Sequence, residues 1–223
     1  ISYVTFKPSF NNKTNGIYNS YTGFQAQLVD KVDMNKINPI LYHMKKILCK
    51  DSEDTYDYLM AWFHKCFKYP EERTQVTVII YGNMGSGKGS LLDNFIIKYI
   101  YGTAIAGSVA GLEPILQRFN SALMNKLFIN INEATSDNFV RNCEHLKSII
   151  TDPYLMIEKK GIDIFQMPNY VNLMMTTNRD NPVYIEQGDR RYFCLDTDNK
   201  YTERDDNGNL LPKCVEYFKQ LYR

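Results

Sequence analysis

Apolar positions along this chain change period from block to block. Val76-Thr77-Val78-Ile79-Ile80-Tyr81, Lys126-Leu127-Phe128-Ile129-Asn130-Ile131 and Tyr170-Val171-Asn172-Leu173-Met174-Met175-Thr176 are short, nearly continuous apolar runs that read as strands. The first is rich in β-branched residues and ends in a glycine turn, as a strand buried on both faces should. Between Asn38 and Pro70 the spacing is helical. Pro39 suits a first turn, and Ile40, Leu41, Met44, Ile47 and Leu48 fall on one stripe. Asp51-Ser52-Glu53 restarts a second stripe of Tyr58, Leu59, Trp62, Phe63 and Phe67, closed by Pro70; Trp62 there reads as core. Another helix runs from Lys88 to about Tyr101. Residues 1–30, rich in Asn, Tyr and Ser, lack period and read as an extended arm. Strand, helix and strand in alternation predict an α/β fold with a mostly parallel sheet. The expected division is an arm over 1–37, a helical region over 38–73 and the α/β core over 74–223.

Composition narrows the class. The chain has 223 residues, 44% hydrophobic and 23% charged, which excludes wholesale disorder. Lys+Arg 26 against Asp+Glu 25 leaves a net charge of +1, so nucleic-acid contact would need local basic patches. The uncharged, glycine-containing run from Tyr99 to Leu112 is too short to span a bilayer. Five scattered cysteines without metal spacing fit an intracellular protein with reduced thiols. The chain starts at Ile1 without Met, so a piece of a longer protein is expected.

Chemistry concentrates after the first strand. Gly82-Asn83-Met84-Gly85-Ser86-Gly87-Lys88 has the G-x-x-x-x-G-K form of a phosphate loop. Glycines let backbone N–H groups turn inward on phosphate oxygens, the helix start adds its positive dipole end, and Lys88 reaches the β/γ-phosphates. Lys88 is therefore expected to be exposed in an empty site. The next position normally carries a Mg²⁺-holding hydroxyl but is Gly89, with Ser90 after it. Either Ser90 substitutes, or Mg²⁺ keeps more of its water.

Two further strand ends fit the same site. The second strand ends in Asn132-Glu133, where such proteins place one acid for Mg²⁺ and one to polarise water. Glu133 can serve as the base; Asn132 lacks the charge. The third ends in Thr176-Thr177-Asn178, and an amide there can sense the γ-phosphate. Next stand Arg190-Arg191 before Tyr192-Phe193-Cys194-Leu195, placed to act as arginine fingers on a neighbouring subunit. Between Glu133 and Asn178, two apolar runs flank Lys159-Lys160-Gly161 and predict a β-hairpin whose lysines can grip phosphates of a single strand.

Taken in order, these parts resemble the superfamily 3 helicase domain of viral and phage primase-helicases and primase-polymerases. Tyr18-Asn19-Ser20-Tyr21-Thr22-Gly23-Phe24, the Trp62–Pro70 helix end, Gln117-Arg118-Phe119-Asn120 and Asp189-Arg190-Arg191 carry the likeness, from about Tyr18 to Leu195. The resemblance implies an AAA+-like core, a hexameric ring, ATP with Mg²⁺ between subunits, single-stranded DNA through the centre, and a primase or polymerase domain in the full-length chain. It favours Arg191 over Arg190 as the finger and a host-cytoplasmic, phage- or virus-encoded protein. Gly89 and Asn132 depart from the pattern, both at Mg²⁺ ligands. Two rivals stand beside the helicase: a non-hydrolysing ATP-binding clamp or scaffold, suggested by those departures, and a nucleotide kinase, suggested by Gly-Lys-Gly-Ser.

Overall fold

In the computed structural model, residues 3–9, 17–134, 136–178, 185–186 and 188–222 are described. The arm contributes two short parallel strands, β1 (Tyr3–Thr5) and β2 (Ile17–Asn19). It is more than a loose extension, because Phe6 and Tyr21 bury their rings in the main core and meet edge to face. The first helix starts at Met34, with Asp33 Oδ1 accepting from the Asn35 N–H at 3.1 Å. Pro39 thus lies inside the helix rather than in its first turn. The helix continues over His43–Leu48 with wider π-type winding, and the second helix, Glu53–Lys68, is capped by Ser52.

The sheet is built from β3 (Thr77–Tyr81), β4 (Ala106–Ala110) and β5 (Phe128–Asn132), then, after an inserted hairpin of β6 (Tyr154–Lys159) and β7 (Ile162–Pro168), from β8 (Asn172–Thr177) and β9 (Tyr192–Asp196). Its order is β4-β5-β8-β3-β9 and every pairing is parallel. β4 is an edge strand of small residues, Ala-Gly-Ser-Val-Ala, which carry no hydrophobic period and escaped the sequence reading.

Continuous apolar runs follow from burial on both faces. Val78, Ile80, Phe128 and Met174 pack with Leu59, Trp62, Phe63, Leu92 and Tyr101 on one side. Ile79, Ile129, Ile131, Leu173 and Met175 pack with Leu146, Ile149 and Ile150 on the other. Trp62 is core as expected, and its Nε1–H donates to Val76 O at 2.9 Å. The five cysteines are free thiols. Among the described residues, no helix is long and apolar enough to cross a membrane.

One charged side chain fastens this layer. Arg73 donates to Ile150 O and Thr151 O, each at 3.0 Å, and to Ile149 O at 3.5 Å, satisfying carbonyls at the end of the Ser136–Thr151 helix. A guanidinium reaches these carbonyls with a rigid planar fork of N–H donors, a geometry that a lysine ammonium does not reproduce. We expect Arg73→Ala to lower unfolding free energy by about 2 kcal/mol, and Arg73→Lys to restore less than half of that. Urea unfolding checks this, and an unchanged midpoint for Arg73→Ala would dismiss the capping role.

Candidate functional site

Parallel strands deliver their ends to one edge, so the carboxyl ends of β3, β5 and β8 bring Gly82–Lys88, Asn132-Glu133 and Asn178 to the same side of the sheet. β8 lies between β3 and β5, setting Asn178 between the other two groups.

The glycine loop is packed from below as well as open above. Gly82 has φ +138, and a Cβ there would sit 2.1 Å from Thr197 Oγ1. Gly87 has φ +88, and its Cβ would lie 2.6 Å from His43 Cε1. Any side chain at either position would collide as well as strain the backbone. Asn83, Met84 and Gly89 are exposed, Gly85 and Ser90 half-buried, and Ser86 is buried. The helix that follows, Ser90–Tyr101 with Lys88 and Gly89 leading into it, has no side-chain cap at its start, and its Leu91 N–H donates back to Gly87 O at 3.0 Å.

Lys88 corrects an expectation. It is only 6% exposed, because its ammonium folds back into the loop and donates to Gly82 O (2.8 Å), Asn83 O (2.9 Å) and Ser86 Oγ (3.1 Å). Burial lowers its pKa to about 8, since the charged form loses water.

Asn132 ends β5 within a polar notch. Its Nδ2 donates to Asp93 Oδ2 (3.1 Å) and Ser108 Oγ (2.8 Å), and its Oδ1 accepts from Thr176 Oγ1 (2.7 Å) and Asn130 Nδ2 (2.9 Å). Asn130 Nδ2 also donates to Asp93 Oδ1 at 2.9 Å. Strand register explains the grouping: Ser108 lies opposite Asn130, and Asn132 opposite Thr176. Glu133, one residue on, is exposed and holds φ +58, a costly conformation for a non-glycine residue at a strand end. Asn178 is exposed just beyond β8.

The arginine pair lies elsewhere. Thr77 N–H donates to Arg191 O, and Tyr192 pairs with Thr77, so Arg190 and Arg191 stand at the start of β3 while the loop follows its end. Five strand residues separate them, roughly 17 Å. Arg191 is held by Asp189, whose carboxylate accepts from its backbone N–H (2.9 Å) and Nη1 (3.0 Å); Arg190 is exposed. One chain does not unite its arginines with its own loop.

The hairpin forms as expected, with Lys159 ending β6 and exposed Lys160 in the turn. Leu155 and Ile157 pin it to the core, while Met156, Ile162 and Ile164 are exposed. Asn120 docks it by donating to Met156 O (2.8 Å) and accepting from Glu158 N–H (3.0 Å).

Sequence reasoning missed Asp93, Ser108, Thr176 and His43. Asn130 was the available clue, an amide inside an apolar strand, and Asp93 likewise interrupts an apolar helix. Oxygen donors at this edge (Asp93, Ser90, Glu133) suit a hard divalent cation, and Asn130 Oδ1 is buried without a hydrogen-bond partner. No group of three His, Cys, Asp or Glu able to hold a metal occurs among the described residues, so phosphates and water must complete any Mg²⁺ shell. That sparse set fits Mg²⁺ bound with a nucleotide.

His43 supports the loop from beneath. It is fully buried, its Nδ1 lies 2.7 Å from Tyr217 Oη, and its Nε2 has no hydrogen-bond partner. Burial lowers its pKa from 6.5 to about 4. The unfolded chain therefore takes up this proton first; stability is full above about pH 6.5 and falls as pH drops toward 4. Between about pH 7.5 and pH 5 the loss should be on the order of 2 kcal/mol. His43→Asn should remove that part of the slope in urea titrations; an unchanged slope would reject it.

Comparisons with known proteins follow the same ground. A family model described as "Family of unknown function (DUF5906)" matches residues 80–191, from the end of β3 to the arginine pair. The DNA primase-polymerase of Nitratiruptor phage NrS-1 is 32% identical over 149 residues, 65% of this chain and 20% of that protein. Two solved apo structures of the NrS-1 C-terminal region match with TM-scores of 0.76 and 0.74 at 24% identity, covering 98% of this chain and 52% of each of theirs. At that identity they show a shared fold. The chain spans about a fifth of the curated relative's length.

Proposed function

The chain belongs to the DUF5906 family, a family of unknown function, and from that premise we propose that it is an ATP-binding, ring-forming DNA motor domain of a phage-type replication protein. One observation carries the reading: a glycine loop with its lysine and two polar strand ends share one sheet edge, while Arg190 and Arg191 lie at the other. An arginine that cannot reach its own loop can complete a neighbour's, which a closed ring supplies and a monomeric kinase does not. Relationship to the NrS-1 DNA primase-polymerase supports a replication setting with a primase or polymerase domain in the same full-length chain.

In this reading the loop N–H groups and the helix start hold the phosphates of ATP. Lys88 exchanges its carbonyl acceptors for β/γ-phosphate oxygens. Glu133 takes the proton of attacking water, Asn178 orients that water, and Arg191, released from Asp189, stabilises charge on the neighbour's γ-phosphate. Ser90, Asn132 and Glu133 would lie beside a Mg²⁺ bound with the nucleotide, and that ion would supply positive charge to offset charge on the phosphates. Lys159 and Lys160 meet single-stranded DNA at the hairpin tip.

A second reading, an ATP-binding clamp that turns over weakly, is favoured by Asn132: it is neutral, and both ends of its amide are already engaged.

Two experiments test the main reading on the full-length chain. Lys88→Ala should fold and lose ATP affinity at least tenfold by calorimetry. Because Lys88 titrates near 8, wild-type affinity should be full below that pH and decline above it, and Lys88→Arg should remove the decline. Wild-type affinity in folded Lys88→Ala would refute the nucleotide site. Separately, Lys159→Ala with Lys160→Ala should weaken single-stranded DNA binding for all sequences alike and reduce the salt slope by about 1.4, leaving ATP binding intact. An unchanged slope would remove the hairpin from the DNA path.

A further inference from the structure

Asn132 stands where a motor of this kind needs a carboxylate, and Gly89 where it needs a hydroxyl. Both gaps open onto one side chain. Asp93 lies on the first turn of the Ser90–Tyr101 helix, and its two oxygens accept from Asn130 Nδ2 (2.9 Å) and Asn132 Nδ2 (3.1 Å). A Cβ on Gly89 would come within 3.8 Å of Asp93 Oδ2, so the carboxylate borders the space that a residue-89 side chain would occupy.

We propose that Asp93 supplies the negative charge that Asn132 lacks, holding the nucleotide's divalent cation through the cation's water shell at the edge formed by Gly89 and Asn132. The inference rests on the nucleotide reading above and names the residue that completes its metal site.

Three observations favour this over a purely structural role. A half-buried carboxylate is costly unless it is paired, yet no Lys or Arg forms an ion pair with Asp93 among the described residues. Among the described residues its hydrogen-bond donors are two neutral amides, which leaves part of a carboxylate's capacity of about four acceptor sites unused. The amides also orient it: Asn132 is itself held by Ser108 and Thr176, so β4, β5 and β8 together fix the carboxylate.

The test uses the full-length protein, Mn²⁺ as the metal probe and ATP. Free Mn²⁺ is read by electron paramagnetic resonance, and ATP affinity is measured separately in EDTA. Asp93→Asn should weaken Mn²⁺ binding to the ATP complex by about 10–100-fold, with metal-free ATP affinity unchanged within about twofold. The exchange Asp93→Asn with Asn132→Asp keeps one carboxylate in the notch and should return Mn²⁺ affinity to within about threefold of wild type. Folded Asp93→Asn with wild-type Mn²⁺ affinity overturns the proposal. So does an exchange variant that binds Mn²⁺ more than about tenfold tighter than wild type, because the native site then lacked the charge. If Asp93→Asn does not fold, the exchange variant decides alone: near-wild-type affinity supports the proposal and weak affinity overturns it. A wild-type chain that binds no ATP in EDTA or with metal overturns the nucleotide reading itself, and this inference with it.

Discussion

Burial of β3 on both faces is the constraint from which the site follows. Val78 and Ile80 fill one core and Ile79 the other, so the strand can be neither shifted nor turned over without moving apolar side chains to the wrong layer. Its neighbours β8 and β9 are parallel to it, which places every functional loop at one edge or the other. The separation of Lys88 from Arg191 is thus a consequence of strand length and direction.

The glycine loop is held from below by segments distant in sequence. Thr197 follows β9 and donates its N–H to Tyr81 O at 2.9 Å, pressing its hydroxyl under Gly82. His43 and Phe218 close on Gly87 from the first helix and from Pro212–Leu221. Elements far apart in sequence therefore set the loop's shape. Lys88 is fixed by the same loop, its ammonium held by Gly82 O, Asn83 O and Ser86 Oγ, bonds it would give up to a phosphate.

Polar groups at the sheet edge behave as a connected unit. Asp93, Ser108, Asn130, Asn132 and Thr176 come from one helix and three strands, yet all lie on the same side of the sheet because strand side chains alternate. Substitution of any one would disturb the others, so their effects should not be additive.

Much of this was legible in the chain itself. Continuous apolar runs announced β3, β5 and β8, because strands buried on both faces have no polar side to show. The glycine spacing marked the loop, since those angles are costly for any residue that carries a Cβ. The Lys159-Lys160-Gly161 step between two apolar runs marked the hairpin. Tertiary structure alone decided the rest. β4 is recognisable only by its pairing with β5, because small residues carry no pattern. Lys88 proved buried because loop carbonyls, whose positions depend on the packing beneath, satisfy its ammonium. Asp93 joined the site because the register of three parallel strands and one helix brought it to Asn132, and such proximity is set by packing across distant segments, which no local spacing encodes.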